Sequence, residues 1–448
     1  MPAPSDLVHE TSTTTGTGNF TLTNANGKRS FNTAFGNGAP TDVFDYFISN
    51  RDAAEWERGT GHLSAASTLV RDTVKASSNA GAAVNFSAGT KDVTNDIPAD
   101  NQAVLETALP ARIPHGMDMP INLGLDVTAS GGALTIAIKG GNGSDPSATN
   151  RVFVPFRFAG TAGTPVWASI TGANSLVLSS GSTLGVTSST AFRIWVVLFN
   201  DAGTYRLGAI NCNRGTAGVY PLAEEAMASS TAEGGAGAAD SAGVVYTGTA
   251  VSSKPYRILG YVEWNTTGLT AGTWTTTNFN VLNGIVLFTP GMKKPGDIVQ
   301  VGSVTKTDTF TSTSTTFTDI TGLTISITPT SAANNVLCFF SAFGMGSTGV
   351  NACVLRSMRG ATAIAVGDAA GSRTSGSALL QSGANSNSTM TAAWSTYDTP
   401  QSAASVTYKT QGLCNAAGTF HINRPEDNTD GAAYVRGTSA ITVQEIMA

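Results

Sequence analysis

Apolar residues recur at every second position in short runs along this chain, and almost nowhere at the spacing of a helix face. Leu134, Ile136 and Ile138 alternate with Thr135, Ala137 and Lys139, a two-residue period that turns one face of a strand to a core and the other to water. Leu323, Ile325 and Ile327 repeat it across Thr324 and Ser326 until Pro329 stops the run. Val152 to Phe158 reads as another strand, which Pro155 confines to an edge or a bulge because proline has no N–H to donate. Ile194 to Phe199 and Tyr205 to Ile210 flank Asn200-Asp201-Ala202-Gly203, residues that tolerate positive φ, so a hairpin is expected there. Thr and Ser on the solvent faces suit strands and disfavour helices.

The best helical stretch runs from about Asn101 to Leu109, with Asp100 as N-cap and Pro110 as terminator. It is short enough to be a connector only. A second boundary falls at Pro290-Gly291-Met292-Lys293-Lys294-Pro295-Gly296, where two Pro-Gly steps surround a charged pair. The expected order is an N-terminal β module (1–100), a connector with the short helix (101–119), a middle β module (120–290), a linker (291–296) and a C-terminal β head (297–448). The fold class is all-β, three successive modules ending in a β-sandwich or jelly-roll-like head.

Composition narrows what such a chain does. Charged residues are 12% of the 448, about half the ~25% usual for a soluble domain. Twenty-five Lys and Arg stand against 30 Asp and Glu, the basic residues mostly scattered, with Lys293-Lys294 the only lysine pair, which argues against gripping nucleic acid. A 41% hydrophobic content with 19 Phe, 9 Tyr and 6 Trp excludes a wholly disordered chain. The longest strongly apolar run, Ile194 to Phe199, is far below the ~20 residues of a membrane helix, so no membrane insertion is expected. Met1 to Asp6 lacks the basic start and apolar core of a secretory signal. Cys212, Cys338, Cys353 and Cys414 lie far apart without a C-x-x-C pair or nearby histidines, and are expected as buried free thiols.

Several segments carry a resemblance. Val8-His9-Glu10-Thr11-Ser12-Thr13-Thr14-Thr15-Gly16-Thr17-Gly18, Glu55-Trp56-Glu57-Arg58-Gly59-Thr60-Gly61 and the stretch from Val74 to Val93 resemble, in order, the N-terminal module of tailed-bacteriophage fibre and other virion proteins. That family usually has an Arg in the opening D-R-V stretch, where this chain has Asp6-Leu7-Val8. The middle module is similar to phage fibre proteins through Gly181 to Gly185, Ser230 to Ser241, Pro255 to Gly260 and Ala271 to Trp274. The head, from Pro295-Gly296-Asp297-Ile298-Val299-Gln300 to the strand-like Ser439 to Ile446, resembles the β-rich C-terminal heads of such proteins by pattern. The resemblance implies a virion component, assembled in the host cytoplasm. Its N-terminal module would dock on other virion proteins while its distal part faces outward.

Candidate chemistry is sparse. Gly344-Met345-Gly346-Ser347-Thr348-Gly349 fits G-x-G-x-x-G after an apolar strand, but 50 Gly in 448 residues yield roughly 0.6 such matches by chance and no helix pattern follows. A glycine-rich turn is the expectation. Glu426-Asp427-Asn428-Thr429-Asp430-Gly431 resembles the opening of a calcium loop, yet the later bidentate acid is missing because position 437 is Gly, so a solvated turn is expected. No G-x-S-x-G elbow occurs, and His9, His62, His115 and His421 each lie in a different setting. A fibre that cleaves polysaccharide would need two carboxylates about 5 to 10 Å apart, and the adjacent Glu224-Glu225 does not test for them, since neighbours on a strand point to opposite faces. Trp167, Trp195, Trp264 and Trp274 are assigned to the middle core. Trp394 and Tyr397, in a polar segment, are the candidate surface-binding residues, together with loops around Gly371 to Ser388.

The reading is a non-enzymatic structural protein with no catalytic, cofactor-binding or metal residues and no cofactor: a fibre contributing to host adsorption. Sheet edges invite pairing with other copies, and fibres close as trimers by family analogy, so a homotrimer is expected. A host cell-surface glycan or protein is the distal partner. Two alternatives are a head fibre or decoration protein without a receptor role, and a tailspike-type polysaccharide depolymerase.

Overall fold

The computed structural model describes residues 8–24, 27–37, 43–95, 119–159, 165–235, 237, 239–265, 269–280, 285–347, 353–381, 385–414 and 418–448. The helix expected at Asn101 to Leu109, with the rest of the connector up to residue 118, lies outside them. The chain divides into two compact units, Met1–Pro114 and His115–Ala448.

In the first unit, seven antiparallel strands run in the spatial order Phe20–Thr21, Thr68–Ser77, Trp56–Ala65, Phe44–Asn50, Lys91–Thr94, His9–Ser12, Thr23–Asn24. The two outermost strands are consecutive in sequence, separated by Leu22 alone, so one short segment joins both edges and closes the sheet into a barrel. Strict alternation along Phe44–Asn50 sends Phe44, Tyr46 and Ile48 inside, where they meet Phe20, Leu63, Leu69, Phe86 and Val93. A single-turn helix, Phe31–Phe35, capped by the Ser30 hydroxyl, supplies Phe31 to the same core.

The second unit holds the middle and head modules. Phe192–Asp201 and Thr204–Ile210 form the expected hairpin through a two-residue turn, Ala202 and Gly203 both with positive φ, the primed geometry that follows strand twist. Ile194, Val196 and Leu198 face one core, with Ile136, Val154, Trp264 and Trp274. Trp195, Val197 and Phe199 face a second, with Ile210, Tyr256 and Ile258. A strand buried on both faces has no polar alternation to keep, which accounts for the unbroken apolar run. Trp195, Trp264 and Trp274 are buried as expected, whereas Trp167 is half-buried. Val152–Phe156 pairs in a ladder with Val166–Ile170 alone, Pro155 opposite Trp167, as a proline-bearing edge requires.

The head is a β-sandwich. One sheet contains Ile298–Lys306, Ser439–Ile446, Asn335–Gly346 and Met390–Asp398 side by side, with Phe420–Ile422 and Phe310–Ser312 completing it. The facing sheet contains Thr318–Ile327, Val406–Cys414, Cys353–Arg359, Thr362–Ile364 and Ala378–Leu380. Cys338, Phe340, Ile441 and Val443 from the first meet Leu323, Leu355, Tyr408 and Cys414 from the second.

Residues 291–296 keep Gly291, Lys293 and Gly296 exposed, as a linker would, but the segment is tied to its neighbours. Met292 packs against the second middle core, Pro295 accepts from Leu222 N–H at 3.4 Å, and Gly296 N–H donates to Met447 at 2.9 Å. Met447 and the partly buried Val299 complete that same core. The middle and head modules therefore share side chains and belong to one unit. A boundary drawn from Pro-Gly steps could not register that partners from residue 447 cover it.

Candidate functional site

The segments that carry the resemblance in the first unit hold its barrel together. Glu57 is fully buried: Oε1 accepts from Tyr46 O–H at 2.7 Å, and Oε2 from Arg71 Nη1 at 2.8 Å and Val84 N–H at 2.7 Å. The Arg71 guanidinium lies over the Phe20 and Phe86 rings, 5.0 and 5.8 Å from their centroids. Glu55 accepts from Asn50 Nδ2 and from Ser87 N–H, both at 2.9 Å, pinning the 87 loop to the 44–50 strand. Lys91, fully buried, donates to the carbonyls of Ser87 and Gly89. Asp92 accepts two bonds from Arg51 and one from His9, which hold its carboxyl at about 2. A Cβ on Gly59 would sit 2.2 Å from the Thr73 carbonyl oxygen, and one on Gly61 2.3 Å from that of Val70, where the ladder bulges. Trp56 stays exposed at 39%, its ring stacked on Phe47 at 6.3 Å.

In the head, the two candidate binding rings are not neighbours on one surface. Trp394 pairs with Phe340 across the ladder and stacks on its ring at 5.4 Å and 7°, packed against the sandwich core. Tyr397, three residues on, points to the opposite face; there its hydroxyl accepts from Asn335 Nδ2 at 3.1 Å, and burial raises it above the usual phenol range. Asn335 and Asn213 bond to each other through their amides, so Tyr397 belongs to the seam between head and middle modules. Polarity of the surrounding sequence concealed both placements, because the alternation around Trp394 is carried by Ala392 rather than by large residues.

The outward face of that sheet is the more distinctive surface. Its rungs run Val301, Gln444, Leu337, Tyr397 and then Ser303, Thr442, Phe339, Ser395, four strands across, with Ala440, Ser341 and Ala393 beside them. No charged side chain stands among these positions. Val301 is 58% exposed and Phe339 43%, and Phe339 lines a shallow concavity with Ser341, Ala393, Ser395 and the candidate ring Trp394. Sequence reasoning missed Phe339, although its place between buried Cys338 and Phe340 in a period-two strand marks it as outward.

The remaining motifs resolve as structure. Gly344 and Gly346 lie within the Asn335–Gly346 strand rather than in the expected turn, and a Cβ on Gly344 would sit 2.0 Å from the His421 carbonyl oxygen. The next described element, Cys353–Arg359, is a strand. Asp427 Oδ1 accepts from Thr429 N–H at 2.9 Å and from its hydroxyl at 2.6 Å, so the 426–431 segment is the expected turn closed on itself. Glu224 and Glu225 do not diverge: Glu225 opens its strand and Glu224 precedes it, and both reach Arg257, at 2.8 and 3.5 Å. His9 and His62 meet Asp92 and Asp72 at 2.7 and 2.8 Å, His421 is buried, and His115 lies outside the described residues. Of the Gly371 to Ser388 loops, Ala378–Leu380 is a strand paired with Cys353–Leu355. Among the described residues no three His, Cys, Asp or Glu gather as a metal would need, and no helix is long and apolar enough to cross a membrane.

No protein-family model matches this chain, and no curated protein matches it. Solved structures give weak overlaps with capsid structures of infectious bursal disease virus. The Gt strain structure is 11% identical over 78% of this chain and 82% of that one, with a TM-score of 0.22. The VP2 subviral particle is 10% identical over 77% and 86%, with a TM-score of 0.20. Overlap at that level does not establish a shared architecture.

Proposed function

We propose that this chain is a structural virion protein of a tailed phage: a homotrimeric fibre mounted through its N-terminal barrel, whose head faces outward and contributes to host adsorption without catalysing a reaction. The observation that carries the proposal is the uncharged outward face of the head sandwich, centred on Phe339 and Val301. A sheet face of apolar, hydroxyl and amide side chains buries against a different surface of a neighbouring copy, as a three-fold ring requires, without desolvating a charge. Closed rotational symmetry gives each copy the same contact. The ordered resemblance of the first unit's segments to virion N-terminal modules supports the mounting, and the exposed Trp56 ring stacked on Phe47 is the surface offered there. Repetition of weak head sites around a particle raises effective concentration and so makes attachment firm.

Deleting residues 297–448 would be a poor test, because Met447 and Val299 complete the middle core. Labelling is cleaner. On particles purified from the phage carrying this gene, gold-conjugated antibodies raised against the barrel and against the head are expected to mark positions near and far from the particle surface. Purified protein is expected to compete with particles for host cells. Absence of the chain from purified particles contradicts the virion role; presence without competition leaves a decoration protein and removes adsorption.

A further inference from the structure

Cys353 and Cys414 stand directly opposite each other on neighbouring antiparallel strands of the head, both as free thiols and both buried in its core. The Cys414 N–H turns away from Cys353 to donate to the Ser314 carbonyl at 2.8 Å, while the Leu355 carbonyl, in phase with Cys353, accepts from Ser377 N–H at 2.7 Å on the far side. The pair is therefore a non-hydrogen-bonded rung, where Cα atoms approach to about 4.5 Å and side chains on one face lie closest. That separation falls inside the roughly 4.4–6.8 Å span of disulfides. Cys338 lies in the other sheet, opposite Thr396 and Val443, and Cys212 lies in the middle module, so neither has a cysteine across from it.

We propose that Cys353 and Cys414 form a latent cross-strand disulfide, closed by exchange with a low-molecular-weight disulfide, that ties the two strands of the sheet together. Burial raises both thiols, so the closed fold keeps them unreactive and exchange begins when the rung opens. One cysteine thiolate attacks the external disulfide, giving a mixed disulfide and one released thiol. The other cysteine then attacks the protein sulfur of that mixed disulfide, forming the Cys353–Cys414 bond and releasing the second thiol. Two protein thiols are oxidised, one external disulfide is reduced to two thiols, and the two protons leave with them. A reducing compartment keeps the pair open and an oxidising one closes it.

The test treats the full chain with glutathione disulfide, in buffer and at the urea concentration where the head is half unfolded, followed by alkylation and peptide mapping. The expected result is a single cross-link between the peptides of Cys353 and Cys414, a fall from four free thiols to two, and a higher unfolding midpoint that returns with reductant. Cys338→Ser is expected to cross-link normally, and Cys353→Ser to form no intramolecular bond. Four alkylated cysteines in both conditions, glutathione retained on both residues, or cross-links through Cys212 or Cys338 would each overturn the proposal.

Discussion

Trp195 in the middle module donates its indole N–H to the main-chain oxygen of Ala448, 3.2 Å away, and thereby anchors residues that follow the last strand of the head. Arg193, two residues earlier on the same strand face, is ion-paired with Glu263 on the adjacent strand and also donates to Asn334 Oδ1 and to the Ala448 oxygen. Asn334 in turn donates to Glu445, whose carboxylate also accepts from Thr330 N–H at 2.8 Å and Gln300 Nε2 at 2.7 Å. Glu263 takes a further bond from Ser331 O–H at 2.8 Å. Buried charges held this way lock two modules in one arrangement, because each loses its partners if the seam slides.

Replacing Arg193 with Met leaves Glu263 buried without its cation and is expected to cost about 3–5 kcal/mol. The double variant Arg193→Met, Glu263→Leu removes both charges and is expected to recover most of that loss. Urea unfolding of the second unit followed by tryptophan fluorescence measures both, since Trp195 and Trp264 sit beside the pair.

The first unit has an independent weak point. Glu57→Ala strands the Arg71 guanidinium between two phenyl rings and removes the acceptor of Tyr46 and Val84, so a loss of about 3–5 kcal/mol is expected. Gly59→Ala is expected to destabilise by about 1–3 kcal/mol or more, through the clash with the Thr73 carbonyl. Because the units are separate bodies, calorimetry should show the barrel transition moving down while that of residues 115–448 stays in place.

Acid is expected to weaken the head through His421. Burial pushes this imidazole down from 6.5 to about 4, with nearby Arg424 acting in the same direction. The unfolded chain then binds a proton that the folded one refuses between those values, so stability is complete above pH 6.5, falls as pH drops toward 4, and loses roughly 3 kcal/mol in all. His421→Gln should flatten the dependence of the urea midpoint on pH across that window. Asp92 has the carboxylate sense: its stabilisation of the barrel is present above about 3.8 and lost as pH falls through about 2.

Much of the fold was legible because these strands obey local rules. Leu134, Ile136 and Ile138 are all fully buried, and the Ala202-Gly203 turn closes the hairpin that its residues announce. What escaped depended on partners distant in sequence. The tie between Gly296 and Met447, and the Ser331 contact to Glu263, span intervals that no periodicity encodes. The partly buried placement of Trp394 escaped for a related reason. Polar neighbours suggested exposure, but a strand residue is placed by its parity, and parity set Trp394 on Phe340 and Phe339 toward solvent.

That inversion separates two kinds of variant. Trp394→Ala removes a ring from the sandwich core and is expected to cost about 3–5 kcal/mol, so any loss of adsorption it causes should track unfolding in circular dichroism. Val301→Asp changes a residue 58% exposed and should leave the unfolding free energy of the single chain within about 0.5 kcal/mol while disturbing assembly.

In the proposed trimer the uncharged head face joins copies of the chain, and light scattering of the purified full-length protein, wild type beside Phe339→Asp, tests that contact directly. The expected outcome is three times the chain mass for wild type and a shift to the single chain for the variant with its circular dichroism unchanged. A wild-type protein that stays at one chain mass across the concentration range, or a trimer indifferent to the aspartate, would contradict it.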